Sequence, residues 1–446
     1  MNSETDADVA ELWQEVRSGW LAEPAILVEQ ISFLMMLKRL GRSGSSPPSD
    51  WEGPVLWWED LRLLSGLDLV ETLKEYLVPF VTSAMPRSIR PTMREARFAL
   101  DDPFHLTLCM DSIARLGAAQ EGPFFDALLS RLAEGDGRQV RTPPAVAAAM
   151  VDLARPVNGG RICDPAVGTG GLLLEAARQL GATHGAGGLE LRGYDIDPSK
   201  ARLATFNLLF HDVPGASVAQ ADVLSSAFAQ PGRFDVVLCA PPFGGQRSES
   251  EIDEHLSKAG RRTELLYLER CRQLQRGKAA ILIPEAVLFG RSLAYAKARE
   301  ELLQKTQVDG VVLLPPGVLG FTNIRSAILV ISGKGVTRDV WYCPIAEGSR
   351  SSVDEQLGFV AEALRATRQG VPHMSMGAAA LTRTMFNASL DEIQANDWSL
   401  APALYRKAEI SESEEDPIRL LDSVRAMESE IDFHLTEARR LLAENE

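Results

Sequence analysis

One stretch, residues 161–180, most limits what this chain can fold into. It reads RICDPAVGTGGLLLEAARQL: a short apolar run ends at an acid, a glycine-rich turn follows, and an amphipathic helix begins at once. Gly168, Gly170 and Gly171 allow the backbone to take positive φ angles and to pass close to a ligand. The free N–H groups at the start of the following helix can hold a polar group. This order of strand, loop and helix is typical of a nucleotide-type cofactor site.

Seven apolar runs of strand length lie between residues 141 and 334, separated by segments of helix length. They read RICD, LELRGYD, SVAQAD, FDVVLCA, KAAILIP, DGVVLLP and SAILVISG. The runs are apolar rather than alternating, as expected of strands that helices cover on both faces. The pattern predicts an α/β fold with a Rossmann-like, doubly wound sheet of seven mostly parallel strands.

The segments on either side of this region predict helices. Residues 26–40, ILVEQISFLMMLKRL, are apolar around most of the helix circumference and predict a buried helix. Trp51, Trp57 and Trp58 are expected in a core. Residues 417–446 predict a C-terminal helix with an apolar seam at near-heptad spacing, which docks on its own domain or on a partner.

We therefore expect four parts in the chain. They are an N-terminal helical domain over residues 1–130, the α/β domain over 131–375, an extension with an acidic linker over 376–416, and the C-terminal helix over 417–446. Four arginines of the first part would share one face if their segment were helical, either as a solvated face or as a stripe that contacts phosphates. They are Arg87, Arg90, Arg94 and Arg97.

Charge and cysteine content restrict the function classes. The net charge of −15 argues against a free-standing nucleic-acid binder, so any DNA contact needs local basic patches or a partner subunit. The five cysteines are widely spaced and match no metal site or disulfide framework, which indicates reduced thiols in a cytoplasmic protein without a bound metal. We expect no membrane partner, because no apolar run approaches the roughly 20 residues that span a bilayer. The acidic N-terminus also does not resemble a secretion signal.

Acids stand at the ends of three predicted strands. Asp164 ends the first strand, Asp195 the second and Asp222 the third, and the carboxyl ends of such strands meet at the crevice where ligands bind. An acid in the position of Asp195 typically accepts hydrogen bonds from a ribose diol, and Asp222 can accept from an adenine amino group. Asp197 is a neighbouring candidate, but it precedes a proline and could instead cap the next helix. A purely structural role stays open for each acid, since acids are common at turns.

The fourth strand leads into a stiff loop, Ala240–Pro241–Pro242–Phe243, that projects backbone carbonyls and an aromatic ring into the crevice. Three segments together resemble the S-adenosylmethionine-dependent DNA methyltransferases that act on adenine N6. DPAVGTGG (residues 164–171) resembles their cofactor motif, and APPF (residues 240–243) resembles their catalytic (N/D)PP(F/Y) motif. RTPPAV (residues 141–146) resembles the threonine–proline segment just before the cofactor motif in the γ-type arrangement.

The flanking segments resemble the modification subunit of type I restriction–modification systems in particular. These segments are FLMMLKRL, LLPPGVLGFTNIRSAILVISGKG and DEIQANDWSLAPALYR, so that the resemblance covers most of the chain. It implies methylation of an adenine that is flipped out of double-stranded DNA. It also implies assembly with a DNA-specificity subunit and a second copy of this chain, and it allows a restriction subunit as a further partner.

The resemblance also assigns the site. The implied catalytic residues are Ala240, Pro241, Pro242 and Phe243. The implied cofactor is S-adenosyl-L-methionine, and its binding residues would be Arg141, Thr142, Pro143, Asp164, Ala166, Gly168, Thr169, Gly170, Gly171, Asp195 and Asp222.

One residue departs from the family pattern. The family's loop begins with Asn or Asp, whose oxygen accepts a hydrogen bond from the adenine amine, and this chain has Ala240 there. Losing one such group typically costs about 100- to 1000-fold in rate. Gln246, Ser248 or Asn323 could supply a replacement oxygen. Otherwise the chain is a pseudo-methyltransferase that binds cofactor or DNA as a structural or sensing subunit. A dinucleotide oxidoreductase is disfavoured, because DPAVGTGG is not GxGxxG.

Overall fold

The computed structural model describes residues 3–19, 23–42, 50–136, 141–181, 188–228, 232–256, 260–320, 322–333, 335–347, 351–370 and 373–406. The chain divides into two units, Met1–Tyr405 and Arg406–Glu446, and the fold below is that of the first. The C-terminal helix predicted over residues 417–446 lies outside the described residues.

The N-terminal helices bury their apolar faces in one shared core. They are α1 (Ser3–Gly19), α2 (Pro24–Arg42), α3 (Trp58–Leu61), α4 (Gly66–Ala84), α5 (Pro103–Arg115) and α6 (Glu121–Asp136). The buried helix predicted from residues 26–40 is confirmed as α2, in which every residue from 27 to 38 is buried. Trp58 is buried in this core, whereas Trp51 and Trp57 are half-buried. Helix α6 runs across the boundary that the sequence suggests at residue 130.

Across the described ranges, no single helix combines the length and apolar character needed to cross a bilayer. Residues 5–19 and α2 meet that test of length and composition only together, as a pair bent by 120°.

The segment that contains the four arginines is not an α-helix, so they do not share a helix face. Arg90–Met93 is a single 3-10 turn, because Pro91 and the nearby Pro86 lack the N–H groups that a continuous α-helix needs. Arg90 donates to two backbone carbonyls and pairs with Asp50. The remaining members of the set are exposed on irregular backbone and share no helix face: Arg87, Arg94 and Arg97.

Within the described residues, one sheet of nine strands follows in the order β3-β2-β1-β4-β5-β7-β6-β8-β9. The strands are β1 (Arg161–Asp164), β2 (Glu190–Asp195), β3 (Ala216–Gln220), β4 (Phe234–Cys239), β5 (Gln275–Pro284), β6 (Gln307–Leu314), β7 (Ser326–Ser332), β8 (Asp339–Pro344) and β9 (Phe386–Ser389). All seven predicted runs are strands, β1 to β7. The predicted total of seven is wrong, because β8 and β9 extend the sheet.

The strands are parallel from β3 across to β5. Strand β7 runs antiparallel between β5 and β6, β8 is parallel to β6, and β9 is antiparallel to β8. The two strands that the sequence did not reveal lie at the far end of the sheet, where β9 is the edge strand. Strand β9 has four residues, FNAS, of which Ala388 alone is buried, so it presents no apolar run.

Helices cover both faces of the sheet, as the apolar strands predict. Helices α7 (Pro144–Ala154), α8 (Gly171–Gln179), α13 (Val353–Gln369) and α14 (Met376–Thr382) pack on one face. Helices α10 (Thr263–Leu274), α11 (Ala286–Phe289), α12 (Leu293–Lys305) and α15 (Leu390–Ala395) pack on the other. The α/β, doubly wound class is therefore confirmed.

Helix α9 (Pro198–Phe210) joins the N-terminal helices to the sheet. Phe206 and Phe210 belong to the N-terminal core, whereas Ala204 and Leu208 belong to the core under the sheet. The ring of Phe206 meets that of Phe33 of α2 edge to face, with centroids 5.0 Å apart. Helix α9 is thus part of both the N-terminal core and the core under the sheet.

A buried ion pair crosses the same junction. Arg202 Nε of α9 donates to Glu29 Oε1 of α2 at 2.7 Å, and Ser199 Oγ donates to Glu29 Oε2 at 3.0 Å. Glu29 is 3% exposed and Arg202 is 8% exposed. Burial raises the pKa of Glu29, and the hydrogen bond and charge of Arg202 oppose that rise. Each charge thus depends on its partner to remain in the interior.

We predict that Arg202→Met destabilises the protein by about 3–5 kcal/mol, because it leaves the carboxylate of Glu29 buried without a counter-charge. The double variant Glu29→Met with Arg202→Met should lose less stability, since it removes both charges from the interior. Urea unfolding followed by circular dichroism gives the comparison.

The control is Lys74→Met, which breaks an exposed pair with Asp101 at 3.4 Å and should cost less than about 1 kcal/mol. A double variant at least as unstable as the sum of its single variants would contradict the prediction.

Candidate functional site

A cleft of about 530 Å³ opens at the carboxyl edge of the sheet, where β1, β2 and β4 end. Most residues of the predicted site line it: Arg141, Thr142, Asp164, Ala166, Gly168, Thr169, Gly171, Asp195, Ala240, Pro242 and Phe243. Four others are not among the lining residues: Pro143, Gly170, Pro241 and Asp222. Residues from four separate segments of the sequence therefore meet in one place.

Two of the three glycines in the turn have the positive φ angles that the sequence predicts. Gly168 has φ 53° and Gly170 has φ 85°, in the left-handed region that other residues rarely adopt. A Cβ atom on Gly170 would lie 3.3 Å from Cα and Cβ of Ala204 in α9. Gly171 instead begins α8 with ordinary helical backbone, so positive φ is not needed there. The turn thus lines the cleft and packs closely against α9.

Asp195 fixes the glycine turn to the end of β2. Its Oδ2 accepts from the N–H of Gly168 and its Oδ1 from the N–H of Asp197, both at 3.0 Å. Burial raises the pKa of Asp195, against the effect of these two hydrogen bonds and of Lys200. A carboxylate offers about four lone-pair sites, so two remain for a ligand in the cleft.

Asp164 is the most deeply buried acid of the cleft, at 1% exposed. Its Oδ1 accepts from the N–H of Ala166 at 3.0 Å. Burial, with a smaller contribution from the charge of Asp195, raises the pKa of Asp164 to about 8. In the ligand-free protein its carboxyl is therefore mostly neutral at pH 7, and a cation bound beside it would favour the ionised form.

The two remaining candidate acids make structural contacts. Asp197 caps α9 by accepting from the N–H groups of Ser199 at 2.8 Å and Lys200 at 3.3 Å, which confirms the capping alternative, although Asp197 also lines the cleft. Asp222 accepts from the N–H of Leu224 at 3.1 Å and forms an ion pair with Arg247. A contact between Asp222 and an adenine amine stays a prediction.

The loop after β4 starts inside the cleft and returns to α10. Ala240 is 8% exposed and lines the cleft together with Pro242 and Phe243. Further along, Gln246 pairs with Arg262 in an isolated antiparallel bridge. This bridge, together with the two prolines, restricts the movement of the loop.

The three residues considered as substitutes for the missing oxygen are all exposed, and none of them belongs to the described lining: Gln246, Ser248 and Asn323. Four hydroxyl side chains do line the cleft: Thr142 and Thr169 of the predicted site, and Thr322 and Tyr267, which the sequence did not indicate. Tyr267 lies within the apolar run ELLYL of α10, so no local pattern marks it. Burial raises the pKa of Tyr267 well above its ordinary value, which keeps the phenol neutral.

Ile196 is another lining residue that sequence reasoning missed. It follows Asp195 directly and is 49% exposed, unusual for a large apolar side chain at a strand end. Its place after a strand-end acid is the signal that could have found it. In the part of the chain that the structure describes, no group of three or more His, Cys, Asp or Glu side chains could hold a metal ion.

Residues 121–415 match the family model described as N-6 DNA Methylase. This chain belongs to the N-6 DNA methylase family. Membership of this family supports a DNA methyltransferase.

Relatives within this family include methylase subunits of type I restriction enzymes. The StySJI methylase subunit of Salmonella typhimurium is 23% identical over 378 residues, which are 75% of this chain and 70% of the relative. The EcoEI methylase subunit of Escherichia coli is 25% identical over 352 residues, which are 70% and 71% of the two chains. The resemblance to a modification subunit is confirmed.

Solved structures share the fold. A chain from a study of assembly and conformational transition in the type I system superposes with a TM-score of 0.72 at 20% identity, covering 100% of this chain and 99% of that one. The type I methyltransferase subunit of Streptococcus thermophilus gives 0.67 at 19% identity, covering 90% of this chain and 99% of that one.

We predict that Asp164→Asn flattens the dependence of stability on pH. The pKa of Asp164 in the folded protein, about 8, lies above the value of about 4 for an unfolded carboxyl group. The stability that its proton provides is complete below about pH 4 and is lost as the pH rises towards 8, at up to about 1.4 kcal/mol per pH unit. Melting temperatures of the ligand-free protein between about pH 5 and pH 8 measure the slope.

Glu59→Gln is the control, because Glu59 is an exposed carboxylate and its removal should leave the slope unchanged. An Asp164→Asn variant with the same slope as the native chain would show that Asp164 is not the group that titrates.

Proposed function

We propose that this chain transfers a methyl group from S-adenosyl-L-methionine to the N6 atom of an adenine in DNA. One observation carries the proposal: the APPF loop opens into the same cleft as Asp164, the glycine turn and Asp195. A cofactor site and a loop suited to a planar base are thus within reach of each other.

The residues of the cleft fit this cofactor. Asp164 is a buried carboxyl that a cation would ionise, and S-adenosylmethionine carries an ammonium and a sulfonium group. Asp195 keeps free lone pairs for a ribose diol, and the glycine turn admits a ligand close to its backbone. Ile196 and Tyr267 supply apolar surface on which an adenine ring can pack. The cofactor residues expected from the motifs keep these roles as part of the proposal.

The loop after β4 would receive the target base. When bound, the cofactor supplies an electrophilic methyl group. The adenine amine is a poor nucleophile, because its lone pair is delocalised into the ring. We assign the backbone carbonyl of Pro241 as an acceptor for this amine and the ring of Phe243 as a stacking surface for a base flipped out of the duplex. Holding the amine close to the methyl group accounts for much of the expected rate.

Ala240 lowers the expected rate without removing the cleft. An amide or carboxylate at this position would accept a second hydrogen bond from the amine, and the methyl side chain of alanine cannot. The missing acceptor corresponds to about 3–4 kcal/mol of transition-state stabilisation. The native chain should therefore be a slow methyltransferase.

DNA recognition is assigned to partners. The net charge of −15 disfavours high-affinity DNA binding by this chain alone. The relatives' names describe them as methylase subunits of type I restriction enzymes. By analogy we propose assembly with a DNA-specificity subunit and a second copy of this chain, with a restriction subunit as a further partner. The helical and α/β parts would act together, and the α/β part includes α14, β9 and α15, so that the boundary expected at residue 375 cuts through it. Residues 417–446 would dock on this chain or on a partner.

We predict that Ala240→Asn increases N6-methyladenine formation by about 100- to 1000-fold, because it restores an acceptor for the amine. Native chain, Ala240→Asn and Ala240→Leu are each assembled with the specificity subunit and assayed on unmethylated DNA by modified-base sequencing. Leucine is the matched control, since its side chain has the same number and branching of heavy atoms as asparagine but no acceptor.

Slow N6 methylation at one defined sequence by the native chain, accelerated by Ala240→Asn alone, supports the proposal. Methylation that appears only with Ala240→Asn would mean that the native chain is the non-catalytic subunit. A complete absence of N6-methyladenine with Ala240→Asn, in a complex that binds DNA, would overturn the proposed reaction.

A further inference from the structure

A cluster of charged side chains connects the N-terminal helices to the cofactor cleft. At its centre is Asp126 of α6, which is largely buried. Its Oδ1 accepts from Arg141 Nη2 at 3.1 Å, and its Oδ2 lies 3.3 Å from Arg178 Nη2 and 3.2 Å from His211 Nε2. The three partners come from the segment before α7, from α8 and from the end of α9. One carboxylate of the helical region thus contacts three elements of the α/β region.

Asp126 remains charged in this position. Burial raises the pKa of its carboxyl, but the hydrogen bond with His211 and the charges of Arg141 and Arg178 outweigh burial and lower the pKa to about 2. A carboxylate that stays ionised at neutral pH provides a constant partner for the guanidinium of Arg141.

Arg141 is the member of the cluster that reaches the cleft. It lines the cleft directly, and its Cγ would lie 3.9 Å from a Cβ atom placed on Gly171, the first residue of α8. Its stem therefore runs beside the N-terminus of α8. Among the described residues, Asp126 is its one hydrogen-bond partner, through Nη2, so Nε and Nη1 are available to a ligand.

The surroundings of Arg141 favour an anionic group. A guanidinium and the positive end of a helix lie side by side here, whereas the acids Asp164 and Asp195 lie at the ends of the strands. S-adenosylmethionine has one anionic group, the carboxylate of its methionine part. A guanidinium already held on one edge by Asp126 loses less freedom when it binds that carboxylate.

We propose that Asp126 is a positioning residue for the cofactor: it holds Arg141 in place to bind the methionine carboxylate, so that α6 contributes to cofactor affinity. This inference rests on the proposed function. It assigns the N-terminal helices a part in the cofactor site in addition to their packing on α9.

The test compares two ligands that differ in one group, S-adenosylmethionine and decarboxylated S-adenosylmethionine, by titration calorimetry on the full chain. Arg141→Met removes the guanidinium and keeps the stem, and it should weaken S-adenosylmethionine binding about tenfold or more. Asp126→Asn should weaken the same binding by about three- to tenfold. Both variants should bind the decarboxylated ligand within about twofold of the native chain, because this ligand lacks the group that Arg141 binds.

Arg178→Met is the matched control. It also removes an arginine that pairs with Asp126, but one that does not line the cleft, and it should change neither affinity by more than about twofold. Asp126→Asn overturns the inference if it leaves S-adenosylmethionine affinity unchanged or weakens both ligands equally, since equal weakening indicates a general loss of structure. If the native chain binds neither ligand, the proposed function fails as well. If the native chain binds both equally well, this inference alone fails.

Discussion

The carboxylate of Asp195 is the contact on which the shape of the cleft depends most. It accepts one hydrogen bond from Gly168 in the turn after β1 and another from Asp197 at the start of α9. The turn after β1 is thereby fixed to the end of β2 and to the start of α9 at one edge of the sheet. Gly170 also approaches α9 closely: a Cβ atom there would lie 3.3 Å from Cα and Cβ of Ala204, and its φ of 85° favours glycine. The same acid that we assign to the cofactor ribose therefore also builds the site.

The N-terminal helices are part of this construction. Helix α9 contributes to the helical core on one side and to the sheet on the other. The buried pair of Glu29 and Arg202 and the cluster around Asp126 add polar contacts across the same junction. Buried charges tolerate displacement poorly, because a small shift leaves them desolvated without a partner. These contacts couple the position of the helices to the geometry of the cleft.

Local patterns in the sequence were sufficient to predict much of this structure. The apolar runs of β1 to β7 are strands because helices bury both of their faces, and Asp164 and Asp195 stand where strand ends place them. Strand β9 was missed because it is a four-residue edge strand with little apolar sequence, whereas β8 carries the apolar run of residues 340–343, which could have predicted it. The ion pair of Asp222 with Arg247 and the presence of Tyr267 in the cleft could not be predicted, because each depends on contacts between segments far apart in the chain. For Arg90, flanking prolines decided the backbone, and the spacing of arginines did not.

The central claim is that the cleft between the glycine turn and the APPF loop holds S-adenosylmethionine. A crystal structure of the full chain grown with S-adenosylmethionine tests it most directly. We expect the ribose on Asp195, the methionine ammonium near Asp164 and the methyl group directed towards the loop that contains Ala240. Cofactor density at another place on the chain, or an unchanged cleft without ligand density at saturating cofactor, would contradict this account.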